Sequence, residues 1–149
     1  VLFRSSYVVS ICSTANIAFN ENERMEISAH YGLEKFDSLG CTILNRVNRE
    51  YCKKLLIMKP GQSHPVHHHV LKEEAFELLY GDCILKLNGK DIPMERGKPI
   101  VIARGVNHSF RSEKGCIVEE ISTTHHKGDS VYEDPNISKL KLSERKYFV

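Results

Sequence analysis

HPVHHHVLKEEAFELLYGD, residues 64–82, holds four of the chain's eight histidines within six positions. If the histidine run is extended, successive side chains point to opposite faces. His67 and His69 then share one face, and His68 takes the other. Glu74 follows, in phase with Phe76 and Leu78, so it shares a face with core side chains. A carboxylate aimed into an apolar interior is costly unless it is paired or bound to a metal. Two imidazoles and a carboxylate are ligands that a divalent transition metal takes. Glu73 has the opposite parity and is expected in solvent. His68 reads as a surface residue or a neighbour of the ligands. His64 can line a pocket mouth or be an ordinary polar loop residue.

The flanking sequence is built in the same way. CTILNRVN, YCKKLLIMKP, EEAFELLY, CILKLNGKDIPM, KPIVIA, HSFRSEKG and CIVEEIS are short runs rich in Ile, Val, Leu and Phe. Turn signals such as PGQ, YGD, ERGK, ARG and EKG separate them. LNGKD is the strongest hairpin signal, because Asn-Gly suits a type I′ turn. Strands at this spacing, without alternating helices, predict an all-β sandwich or barrel. Residues 1–40 read as an N-terminal helical arm and linker. Tyr7, Val8, Ile11 and Cys12 recur at helical spacing, and ENERMEISAHYG reads as a polar connection into a short turn or helix. Residues 41–149 read as the barrel with a C-terminal arm, in which YEDPNISKLKLSERKYFV forms a peripheral strand or arm.

Composition excludes several classes. A chain of 149 residues suits one domain. At this size about 70% of the unfolded chain's surface can be buried. Hydrophobic residues are 41% and charged residues 27%, and the net charge is +2, too small to imply a nucleic-acid or membrane partner. Five widely spaced cysteines without a CxxC pair argue for a reducing, cytoplasmic compartment. No apolar run reaches transmembrane length, and the first residues lack the build of a signal peptide. The chain begins at Val1 and not Met, which suggests a fragment of a longer protein.

A fourth candidate ligand lies downstream. In RGKPIVIARGVNHSF, His108 follows a strand and a glycine turn. The first segment runs Gly61, five residues, His67, one, His69, four, Glu74, six, Gly81. The second runs Gly97, seven residues, Gly105, two, His108. Together these resemble the two motifs of the cupin superfamily over roughly residues 41–122. Ala103 stands where the second motif usually has a proline that stiffens the turn. The resemblance implies a jelly-roll β-barrel (double-stranded β-helix) in which His67, His69, Glu74 and His108 hold one Mn, Fe, Zn, Co or Ni ion. It also suggests a homodimer, since cupins commonly pair through exposed sheet edges and exchanged arms.

Two more residues bear on chemistry. Lys72 lies between His69 and Glu74, either above the metal or as a solvated turn lysine. Glu120, in phase with Val118 and Ser122, is a second inward carboxylate unless Glu119 faces in instead. HHHVLKEE with the later EEIST resembles the D-lyxose isomerase group of sugar cupins, which implies catalytic roles for Lys72 and Glu120. Residues 27–136 also resemble the cupin domain fused behind sialic acid synthase-type enzymes. The first resemblance implies aldose–ketose isomerisation or epimerisation through a metal-stabilised enediolate. The second implies a non-catalytic sugar-binding accessory domain of nonulosonic acid biosynthesis. Both imply a small sugar or sugar derivative as partner.

Overall fold

The computed structural model describes residues 2–20 and 22–149. It begins with α1 (Leu2–Thr14), β1 (Met25–Ser28), β2 (Cys41–Asn48) and β3 (Tyr51–Met58). The middle of the chain forms β4 (Ser63–His69), β5 (Glu74–Gly81), β6 (Ile84–Leu87), β7 (Lys90–Pro93), β8 (Ile100–Ile102), β9 (His108–Arg111) and β10 (Cys116–Thr123). Then come β11 (Ser130–Tyr132), α2 (Pro135–Lys139), α3 (Leu142–Arg145) and β12 (Lys146–Phe148).

The strands form two antiparallel sheets. One has the order β12-β1-β2-β3-β10-β5-β8 and the other β11-β4-β9-β6-β7. They close over a shared core that joins Leu56, Phe76, Leu78 and Val118 of the larger sheet to Leu85 and Phe110 of the smaller. This is the all-β barrel expected from the strand spacing, in the jelly-roll form that the motif resemblance implied. The Asn88–Gly89 turn between β6 and β7 has φ 45° and 80°, as a type I′ hairpin needs.

The outer face of the larger sheet is covered as well. Val8, Ile11 and Cys12 of α1 pack on Leu44, Leu55, Ile57 and Ile117. That second layer explains why β2 and β3 carry continuous apolar runs instead of strict alternation: both of their faces are dry. Each fully buried aliphatic side chain in the layer contributes about 2 kcal/mol. Among the described residues, no helix is long and apolar enough to cross a membrane.

The N-terminal expectation is corrected in one respect. The arm is helical only to Thr14, and ENERMEISAHYG holds a buried strand, β1, between β2 and β12. Its charges hid it. Glu26 is buried, and accepts hydrogen bonds from Asn45 at 3.1 Å and Ser28 at 3.3 Å and an ion pair from Lys146 at 2.8 Å. The structure thus draws Met25–Ser28 into the barrel's sheet. Val1, where the fragment reading began, and Glu21, inside ENERMEISAHYG, lie outside the described residues. The C-terminal segment supplies edge strands to both sheets, β11 beside β4 and β12 beside β1.

Gly81, which ends β5, has φ 78°, and a Cβ there would collide with the carbonyl oxygen of Gly115. Gly97 has φ 79° but open space around it. Gly97→Ala should therefore cost only the left-handed backbone penalty, about 1–2 kcal/mol. Gly81→Ala should cost clearly more, as read by urea unfolding. Equal costs would show that the β5 end can shift to admit a side chain.

Candidate metal centre

The centre is assembled by strand register. His67 on β4 lies directly opposite His108 on β9, with ring centroids 4.2 Å apart. His69, two residues along β4, turns to the same side, 4.9 Å from His67 and 5.7 Å from His108. One nitrogen of each ring lies within 4.8 Å of the others, and all three residues are buried. β5 brings Glu74 to them from the other sheet. Its Oε1 is 3.3 Å from His69 Nε2 and its Oε2 is 3.1 Å from His108 Nε2.

The tautomers follow from the neighbours. His67 Nδ1 is 3.1 Å from the Pro65 carbonyl, His69 Nδ1 3.3 Å from that of Asp129, and His108 Nδ1 2.9 Å from that of Val106. A carbonyl can only accept, so each Nδ1 donates and each neutral ring turns an Nε2 lone pair inward. Burial, reinforced by His108 and His69, holds the His67 pKa well below its ordinary value, so that ring stays neutral. Three lone pairs and a carboxylate then face one another. His108 Nε2 and Glu74 Oε2 are buried and, among the described residues, make no hydrogen bond. Such orphaned acceptors each cost about 1–3 kcal/mol. A divalent transition-metal ion satisfies all of them, and three imidazoles with one carboxylate fit it.

Lys72 is not a solvated turn lysine. It is 3% exposed, with Nζ 2.8 Å from Glu74 Oε1 and 3.2 Å from Glu120 Oε2. Burial opposes its charge, but Glu120 and Glu74 outweigh burial and raise its pKa, so it stays an ammonium. Glu120 faces the interior from β10, whereas Glu119 faces out to Lys53 at 3.4 Å. Burial and the like charge of Glu74 raise the Glu120 pKa against the opposing pull of Lys72 and Lys54. Glu74 is held well below the usual carboxylate range: burial would raise it, but the Lys72 ammonium 2.8 Å away prevails.

One buried aspartate ties the turn to the site. The Asp129 carboxylate accepts from the backbone N–H groups of Val70, Leu71 and Lys72 at 3.0, 2.9 and 3.2 Å. Its own carbonyl receives His69 Nδ1, so one residue sets both the His69 tautomer and the path of the chain to Lys72 and Glu74. Nothing in the spacing of KGDSVY signals this, because the contacts span nearly sixty residues.

Other positions divide cleanly. His68 points away to Asn107 at 3.0 Å, and Glu73 is exposed, both as expected. His64 lines the cavity, although it differs in parity from His67. β4 has one extra residue between His64 and His67 relative to β9, and this bulge restores the inward direction. His64 stacks on Phe110 with centroids 4.6 Å apart. Lys54, His30, His125, Tyr132 and Lys146 also line the cavity and were not singled out from the sequence. Lys54 was legible in principle: it shares parity with the core residues Leu56 and Met58.

Over residues 54–122 the chain matches the cupin domain family. It is similar to the D-lyxose/D-mannose isomerase of Thermosediminibacter oceani, 28% identical over 85% of this chain and 86% of that one. It is also similar to a D-lyxose ketol-isomerase of Thermofilum sp., 28% identical over 83% of this chain and 84% of that one. Among solved structures, Cellulomonas parahominis L-ribose isomerase superposes with a TM-score of 0.76 at 15% identity, over 90% of this chain and 91% of that one. Acinetobacter sp. DL28 L-ribose isomerase, solved with L-ribose, gives 0.68 at 16% identity, over 96% and 88%. At these identities the solved structures bear on the fold.

Asp129→Ala should leave three backbone N–H groups unpaired and destabilise the protein by about 1–3 kcal/mol at neutral pH. Those N–H groups hold the Asp129 pKa below its ordinary value despite burial. A lowered carboxylate stabilises fully above its unfolded pKa, about 3.9, and loses that contribution as pH falls through the folded value. The gap between wild type and variant should thus narrow below about pH 4. A gap constant from pH 7 to pH 3 would show that the carboxylate charge is not what holds the turn.

Proposed function

We propose that this protein is a metal-dependent aldose–ketose isomerase acting on an open-chain pentose or hexose of the D-lyxose or D-mannose kind. The observation that carries the reading is the buried Lys72–Glu120 pair beside the histidine–carboxylate cluster. His67, His69, Glu74 and His108 are the ligands in this proposal, and a divalent ion held there would supply Lewis-acid polarisation of adjacent carbonyl and hydroxyl oxygens.

The chain's own groups account for the proton movements. Glu120, with its pKa raised by burial, is the base. It removes the proton from C2 of the aldose, and that C–H electron pair becomes the C1=C2 double bond. The carbonyl pair moves onto O1, where the Lys72 ammonium donates a hydrogen bond. Glu120 then returns its proton to C1, the C1=C2 electron pair forming that C–H bond, while the O2 hydroxyl proton passes to O1 to complete the C1 hydroxyl and the O2–H electron pair becomes the second bond of the C2 ketone. Burial of both groups excludes water that would otherwise exchange with the carried proton.

The other reading, a sugar-binding accessory domain of a sialic acid synthase-type protein, needs a pocket but no enclosed base. Desolvating Glu120 and Lys72 together serves turnover better than binding. The proposal includes a homodimer and a cytoplasmic setting; five free thiols support a reducing compartment.

Turnover is tested by following D-lyxose and D-mannose conversion by NMR after loading with Mn, Co, Ni, Fe or Zn. Glu120→Gln and Lys72→Met should each lower kcat by about 10²–10⁴-fold while metal content stays at the wild-type level. Unchanged turnover in either variant would remove that residue from the mechanism. Wild-type protein that binds sugar but converts none would favour the accessory-domain reading.

A further inference from the structure

The cavity continues past the metal ligands to a wall with no part in the proton transfers above. His30, just after β1, is 2% exposed and lines the same cavity. Its ring sits edge-on to His64 at 4.3 Å and lies 5.4 Å from the Tyr132 ring. Its Nδ1 is buried and, among the described residues, has no hydrogen-bond partner. Lys54, on β3 directly opposite Glu120 on β10, is 5% exposed. Its Nζ lies 3.2 Å from His125 Nδ1. His125 is itself pinned, its backbone N–H donating to Asn48 Oδ1 at 2.9 Å and its carbonyl accepting from Asn48 Nδ2 at 3.1 Å. The imidazole uses one of the three ammonium hydrogens, and among the described residues no other hydrogen bond from Lys54 is present.

We propose that His30 and the Lys54–His125 pair form a hydroxyl-reading subsite that holds the carbons of the substrate farthest from the metal ligands and selects an unphosphorylated sugar. The inference rests on the isomerase reading for the identity of the ligand, but the geometry of the wall is independent of it. Enclosed polar atoms without partners are rare because each is costly, and here they sit on the lining of a cavity. A polyol carries a donor and an acceptor on every carbon, so it can accept from Lys54 and pair with His30 Nδ1 within one chain.

The charge balance at this wall argues against a phosphate. Lys146 is committed to Glu26 at 2.8 Å, and Lys72 to Glu74 and Glu120 at 2.8 and 3.2 Å. Burial lowers the Lys54 pKa, and the charge of Glu120 on the paired strand opposes that fall. Burial lowers the pKa of both His30 and His125 to about 3, so neither ring adds a positive charge at neutral pH. Arg145 is turned over the Tyr132 ring, 5.5 Å from its centroid, and lines the adjoining pocket with His125 and Lys146. What is left is a set of dipoles and one balanced ammonium, suited to hydroxyl groups.

Calorimetric binding of two non-reacting probes to the metal-loaded protein tests this. D-Arabinitol has five carbons and erythritol four. Wild type should bind D-arabinitol about fivefold or more tighter, the worth of one well-placed hydrogen bond. His30→Phe keeps the ring packing, and Lys54→Met keeps the apolar stem. Each should bring the two probes to within twofold while metal content stays unchanged. Wild type that binds both probes equally, variants that keep the wild-type preference, variants that lose the metal, or tighter binding of D-arabinitol 5-phosphate would each overturn the subsite. Should His30→Phe fail to fold, Lys54→Met decides. Turnover of D-lyxose, followed in parallel, separates the two proposals. Protein that converts nothing but discriminates the probes through these residues retains the subsite and loses the isomerase reading. Protein that converts D-lyxose with unaltered variants loses the subsite alone.

Discussion

Four acceptors facing one another in a dry interior is the constraint that organises this protein. His67, His69 and His108 each have their Nδ1 at a backbone carbonyl, so their lone pairs meet over the Glu74 carboxylate. Left as they are, these groups oppose folding, because His108 Nε2 and Glu74 Oε2 are buried without a hydrogen-bond partner among the described residues. A divalent cation held there would turn the same arrangement into a stabilising one and couple metal binding to folding. Much of the surrounding architecture can be read as holding that geometry. The β4–β9 register sets His67 against His108, β5 carries Glu74 in from the facing sheet, and the loop before β11 delivers the Asp129 carbonyl to His69.

The second layer of the site is an internal ion pair system. A buried lysine would ordinarily lose its proton. Lys72 keeps its charge because two carboxylates face it, and the balance leaves Glu120 more basic than a surface glutamate. A carboxylate that can pick up a proton, next to an ammonium that cannot lose one, is a division of labour suited to moving hydrogen between adjacent carbons. Lys54 extends the system on the far side of Glu120, where it also meets His125. The cavity therefore grades from a cluster that can take a metal, through the Lys72–Glu120 pair, to a wall of neutral rings and one ammonium.

Most of the barrel was legible because strand parity survives in its sequence. Glu74, Phe76 and Leu78 alternate with half-exposed neighbours, and the same rule separated Glu120 from Glu119. The Asn88–Gly89 hairpin was legible from turn chemistry alone. β1 was not, because Glu26 and Ser28 look solvated until Lys146, from the other end of the chain, is placed beside them. His64 was ambiguous because a bulge breaks the period that identified His67 and His69. Lys54 was passed over because a lysine is read as solvated by default, and its burial depends on Glu120 and His125, which come from distant strands and loops. Local periodicity thus reveals which side chains on one strand face the interior together. The polar partners that make their burial tolerable come from tertiary contacts.

The central claim is that the convergent Nε2 groups and Glu74 hold a metal ion. The most direct test is the metal content of untagged protein by mass spectrometry, beside a His67→Ala/His69→Ala variant. The account predicts about one transition-metal ion per wild-type chain, lost in the variant. Wild-type protein that stays empty after dialysis against Mn, Fe, Zn, Co and Ni would contradict it.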